Sequence, residues 1–85
     1  MIYFTKHAEE KFIVLKRHKL AIAKKKVIAA VDRPDVIDYS RMPLLIAQTS
    51  LDRNHVLRVV YSIEGNDIKV ITFYPGRKKQ YGKKK

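Results

Sequence analysis

The sequence predicts an α+β domain in which two N-terminal helices pack on an antiparallel β-meander of three to four strands. Apolar residues recur at helical spacing between positions 5 and 31 and alternate at strand spacing from position 36 onward. Helices grouped ahead of a run of strands indicate α+β rather than alternating α/β. The chain has 85 residues, a length for one domain near the small end of what folds unaided.

The elements follow in order. Met1–Phe4 is apolar and aromatic and reads as a short terminal strand. Thr5 is a good N-cap, with Glu9 and Glu10 in the first turns where the helix dipole favours anions. The first helix should run to about His18, with Ala8, Phe12 and Leu15 on its buried face and His7, Lys11 and Val14 in the neighbouring stripe. A second helix, about Ala21–Val31, buries Leu20, Val27, Ile28 and Val31, and one of Lys24, Lys25 and Lys26 must flank that stripe. Asp32-Arg33-Pro34-Asp35 ends it, because the residue before proline resists the α region. Val36–Tyr39 and Leu44–Leu51 read as strands joined by Ser40-Arg41-Met42-Pro43.

The most strongly patterned stretch is Asn54–Tyr81. Two β-branched and aromatic runs, His55–Ile63 and Ile68–Tyr74, flank Glu64-Gly65-Asn66-Asp67 and predict a hairpin. A regular register pairs Ile63 with Ile68, Tyr61 with Val70, Val59 with Thr72 and Leu57 with Tyr74. The other face then carries Arg58, Val60, Ser62, Lys69, Ile71 and Phe73, with Arg58 opposite Phe73. Pro75-Gly76 is expected to stop the second strand, since proline cannot donate to a ladder. Residues 1–81 are read as the domain and Gly82-Lys83-Lys84-Lys85 as a disordered basic tail.

Charge restricts the function. Nineteen Lys and Arg against eight Asp and Glu give a formal net charge of +11, with eight of the cations in Lys6–Lys26 and six in Arg77–Lys85. The cations either form a solvated, lysine-rich surface or, as their clustering favours, mark nucleic-acid or acidic-partner binding. The chain has no cysteine, no apolar run of about 20 residues and no apolar leader, so a cytoplasmic protein without a membrane partner is expected. Neither a metal nor another cofactor is expected. Thiolate ligands are absent, and no carboxylate cluster accompanies a ligand-like histidine pattern.

One chemistry that histidine, arginine and lysine side chains can support is metal-independent RNA cleavage. It requires removal of a 2′-OH proton, stabilisation of a dianionic phosphorane and protonation of the leaving 5′-oxygen. His7, in the first helical turn beside Lys6 and one turn before Lys11, is either a base or phosphate ligand or a half-buried structural histidine. His55, at a strand start, is a solvent-facing RNA-contact candidate, and His18 suits a helix C-terminus. Arg58 is either paired with a buried carboxylate or aimed into a cleft. Carboxylates are few, so the cleft is expected. Tyr74 is also a candidate contact, yet a regular hairpin places it on the face opposite to Arg58; a bulge near Pro75 or strong twist would bring the two together. Arg77, Lys78, Lys79 and Tyr81 either combine phosphate-binding cations with an aromatic ring for stacking or form a solvated basic tail.

T-K-H-A-E-E-K at Thr5–Lys11, V-I-A-A-V-D-R-P-D at Val27–Asp35, L-R-V-V-Y at Leu57–Tyr61 and I-T-F-Y-P-G-R-K-K-Q-Y at Ile71–Tyr81 span nearly the whole chain. In this order they resemble the small RelE/ParE-like toxin superfamily, nearest to BrnT-type toxins and a related family of small uncharacterised domains. The resemblance implies a RelE-like fold and the toxin of a type II toxin–antitoxin pair. Such a toxin is an endoribonuclease (mRNA interferase) acting on free or ribosome-bound RNA, and its partner is an acidic or DNA-binding antitoxin. It implies catalytic roles for Arg77 and Tyr81 and adds weight to His7, while Arg58 is the catalytic candidate that its mid-strand position nominates. One position departs from the pattern: Lys11 stands where the small-domain family has arginine, keeping the charge but losing the bidentate fork. Fold relatives include non-nuclease gyrase inhibitors, so a ParE-like protein inhibitor and a non-catalytic RNA- or DNA-binding protein are the alternatives.

Overall fold

Thr5 opens the first helix and also anchors it to the sheet. In the computed structural model, which describes residues 1–81, its Oγ1 accepts the Ala8 N–H at 3.1 Å and donates to the Ile71 carbonyl at 3.0 Å. The tail expected at 82–85 lies outside the described residues. The elements in chain order are β1 (Ile2–Phe4), α1 (Lys6–Arg17), α2 (Lys24–Asp32), β2 (Val36–Asp38), β3 (Leu45–Ser50), β4 (His55–Glu64), β5 (Asp67–Arg77) and α3 (Lys78–Tyr81).

α1 closes with His18 as C-cap and Lys19 in the left-handed region at φ 61°. Leu20 N–H reaches the Leu15 carbonyl and Lys19 N–H the Lys16 carbonyl, the paired bonds of a Schellman motif. α2 begins three residues later than the pattern predicts. Residues 20–23 are not helical, Ala23 is extended, and Ile22 is buried in the core. Lys24 is the lysine that flanks the buried stripe. Its ammonium meets Glu9 of α1 at 2.9 Å and lies 4.9 Å from the Phe4 ring centroid.

The sheet has five strands in the order β1-β5-β4-β3-β2. The strands β2 to β5 form the expected antiparallel meander. β1 adds a parallel edge beside β5, so the sheet is mixed rather than purely antiparallel. Met1–Phe4 can run this way because the two helices carry the chain from one edge of the sheet to the other before the meander begins. α1 and α2 cover one face, where Ala8, Val27, Ala30 and Val31 pack with Ala47, Leu57, Val59, Tyr61, Val70 and Phe73.

The hairpin turns through Gly65-Asn66, with Glu64 opposite Asp67 and Gly65 at φ 65°. Near the turn the register is as expected, Ile63 to Ile68 and Tyr61 to Val70. Beyond it the expected pairing fails. Val60 pairs with Thr72, so Ile71 is an extra residue, and Val59 faces Phe73 rather than Thr72 while Leu57 faces Pro75 rather than Tyr74. This β-bulge exchanges the faces of everything after it on β5: Phe73 enters the core, and Thr72 and Tyr74 join Arg58. The bulged residue's carbonyl is the acceptor for the Thr5 hydroxyl, so the helix cap and the bulge satisfy each other.

β5 also runs through Pro75 and Gly76 to Arg77 instead of stopping before them. β1 pairs only with Ile68–Val70, so by Pro75 the outer side of β5 is a free edge where a missing N–H breaks no ladder.

Candidate nucleic-acid interface

On the face away from α1 and α2, the bulge sets Arg58 opposite Tyr74, and Arg58 opposes Gln48 on its other side. Arg58 is only 6 % exposed. Its Nε donates to the Tyr74 hydroxyl at 3.0 Å, Nη1 to Gln48 Oε1, and Nη2 to Asp38 Oδ2 at 2.8 Å. The guanidinium also lies 4.2 Å from the centroid of the Tyr81 ring. The expectation of an open cleft at Arg58 is therefore corrected: its charge is met by Asp38, twenty residues earlier in the chain. Sequence spacing hides this partner, because β2 and β4 reach each other only through β3. The Ser40 hydroxyl and backbone N–H, and then Arg58, hold the Asp38 carboxyl at a pKa of about 2.

Tyr81 reaches Arg58 because Gly76 leaves room for it. A Cβ at position 76 would sit 2.6 Å from Tyr81 Cε2. α3 is held at its other end by the Lys78 N–H, which donates to the Asn54 carbonyl at 2.9 Å, and Gln48 Nε2 donates to the Tyr81 carbonyl at 3.3 Å.

Pairing of His55 with Arg77 brings the β3–β4 turn beside the start of α3. Between them lies a cleft of about 530 Å³ lined by Arg53, Asn54, His55, Arg77, Lys78 and Lys79. Four of these are basic side chains, and among the described residues no carboxylate lines the cleft. His55 Nδ1 lies 2.9 Å from Asp52 Oδ1, and Asp52 also accepts the Asn54 N–H at 2.8 Å. The His55 bond, then the Asn54 N–H, lowers the Asp52 pKa, so this carboxylate is ionised and can only accept. Nδ1 therefore carries the hydrogen, and Nε2 holds the free lone pair of the neutral ring.

The structure thus brings together His55, Arg77, Lys78 and Lys79, with Tyr81, Tyr74 and Arg58 layered on the adjoining sheet face. It does not bring His7 or Lys11 to them. Both lie on α1, across the sheet from Arg58; His7 is exposed, and neither lines the cleft. His18 caps α1 and is also exposed. Arg53 and Asn54 were not foreseen as site residues, although Asp52-Arg53-Asn54-His55 is a polar turn running into the central strand. Among the described residues no group of three or more His, Asp or Glu is placed to hold a metal ion, and no helix is long and apolar enough to cross a membrane. No protein family, curated protein or solved structure matches the chain.

Proposed function

We propose that the chain is a metal-independent endoribonuclease of the toxin type, binding single-stranded RNA by its phosphates in the cleft between the β3–β4 turn and α3. The convergence of Arg53, Arg77, Lys78 and Lys79 on an imidazole oriented by a carboxylate carries this reading. In the reaction, His55 Nε2 takes the 2′-OH proton and that oxygen attacks phosphorus. The arginines stabilise the dianionic phosphorane. The P–O5′ bond then breaks as a lysine ammonium protonates the leaving oxygen, giving a 2′,3′-cyclic phosphate and a 5′-hydroxyl, and solvent restores both protein groups. The likeness to RelE/ParE-type toxins adds an acidic or DNA-binding antitoxin as partner, for which a chain of charge +11 is a suitable target.

One observation favours a second reading. Arg58, the mid-strand candidate for stabilising the phosphorane, is occupied by Asp38, Gln48 and Tyr74, which suits a non-catalytic RNA-binding protein using the same cleft. Cleavage of defined RNA, free and ribosome-bound, separates the two. His55→Ala is expected to slow cleavage about a hundredfold or more while RNA still binds. A variant cutting as fast as the parent removes the cleft as the catalytic site. A parent that binds RNA but cuts neither form establishes the second reading.

A further inference from the structure

Beside the cleft lies a second hollow of about 320 Å³, lined among others by Asp35, Thr49, Val56, Lys78 and Tyr81. Lys78 lines both, so a strand whose phosphate sits against it can lay its next base in the second hollow. The two have different chemistry. The cleft is cationic, whereas the hollow offers an aromatic ring with Val36 and Val56 as apolar wall and a carboxylate among its polar groups.

That carboxylate is unusual in this protein. Of the eight acidic residues, Glu9, Asp32, Asp38, Asp52, Glu64 and Asp67 each pair with a cationic or histidine group. Glu10 and Asp35 have no such partner among the described residues, and of these two only Asp35 lines the hollow, which Lys78 also lines. Its Oδ2 accepts the Ser50 N–H at 3.3 Å and lies 3.5 Å from Thr49 Oγ1, and Oδ1 accepts no hydrogen bond within the described residues. A carboxylate repels a phosphate but accepts from base N–H groups.

We infer that this hollow is a base subsite selective for guanine in single-stranded RNA, with Asp35 reading the base edge; the inference rests on the cleft binding RNA phosphates. Guanine presents N1–H and N2–H side by side, two donors for the two oxygens of one carboxylate. Adenine and cytosine each offer one amino group next to an acceptor nitrogen, and uracil offers one N–H between two carbonyls. An acceptor-only group therefore favours guanine and leaves the other three with an opposed lone pair.

The test is anisotropy with labelled 2′-O-methyl hexanucleotides, which cannot be cut: hexauridine and its versions carrying one internal guanine, adenine or cytosine. The guanine version is expected to bind about tenfold tighter than hexauridine, with little gain for adenine or cytosine. Asp35→Asn keeps an acceptor for the Ser50 N–H but loses the charge and one acceptor oxygen. It should erase the guanine advantage while leaving hexauridine affinity within about twofold, whereas Lys78→Ala should weaken all four ligands alike. Equal affinity for the four oligomers with the parent protein, or a guanine advantage that survives Asp35→Asn, overturns the inference and leaves the phosphate cleft standing. Absence of salt-dependent binding to any oligomer overturns both.

Discussion

Arg58 holds four segments together, because its three nitrogens and its flat face meet Tyr74, Gln48, Asp38 and Tyr81 on different elements. Such a pair adds little over a well-packed apolar substitute, but removing one partner strands the others. Arg58→Ala should therefore destabilise the fold by roughly 2–4 kcal/mol in urea denaturation, and a loss of RNA cleavage in that variant would first have to be separated from unfolding. Asp38 makes the same group acid-sensitive. The fold lowers its pKa from 3.8 to about 2, so its contribution is complete above pH 4 and disappears as pH falls towards 2. Thermal melts between pH 5 and pH 2 should show a fall over that interval, and Asp38→Asn should be less stable at pH 5 but lose less on acidification.

At the scale of elements, two positions are governed by backbone. Lys19 occupies the left-handed position after α1, where a Cβ is unfavourable and glycine is usual. Lys19→Gly should raise stability by about 0.5–1 kcal/mol, measured by the denaturation midpoint at unchanged slope. Gly76 is the reverse case, since its Cβ would collide with the Tyr81 ring. Gly76→Ala should displace Tyr81 from Arg58 and loosen α3, seen as faster amide exchange at 78–81, at a cost of roughly 1–3 kcal/mol. The outcome that would contradict this packing is unchanged exchange in that segment.

For the whole molecule, the sheet divides the labour. One face meets α1 and α2 and carries most of the core, while the other and its adjoining edge carry Arg58 and the cations of the cleft. If each of the four basic side chains of the cleft meets one phosphate, log affinity for single-stranded RNA should fall with log salt at a slope near −3, from about −0.7 per contact. Lys78→Ala combined with Lys79→Ala should reduce the slope by about 1.4. A slope unaffected by the double substitution would place the phosphates elsewhere, with Lys6–Lys26 the next cationic stretch.

Local pattern was enough to read α1 from Thr5, Ala8, Phe12 and Leu15, the end of α2 at Pro34, the meander and the tight turn at Gly65. Each depends on neighbours a few residues away. Composition likewise disclosed a basic protein whose cations cluster in Lys6–Lys26 and Arg77–Lys85. Tertiary structure decided the rest. The carbonyl of the bulged Ile71 is met by a hydroxyl 66 residues away, and the parallel placement of β1 depends on where two helices deliver the chain. Asp38 meets Arg58 only across an intervening strand. One extra residue in β5 moves Tyr74 to the side of Arg58 and Phe73 into the core, because side chains alternate with a period of two and any shift of one reverses every face beyond it.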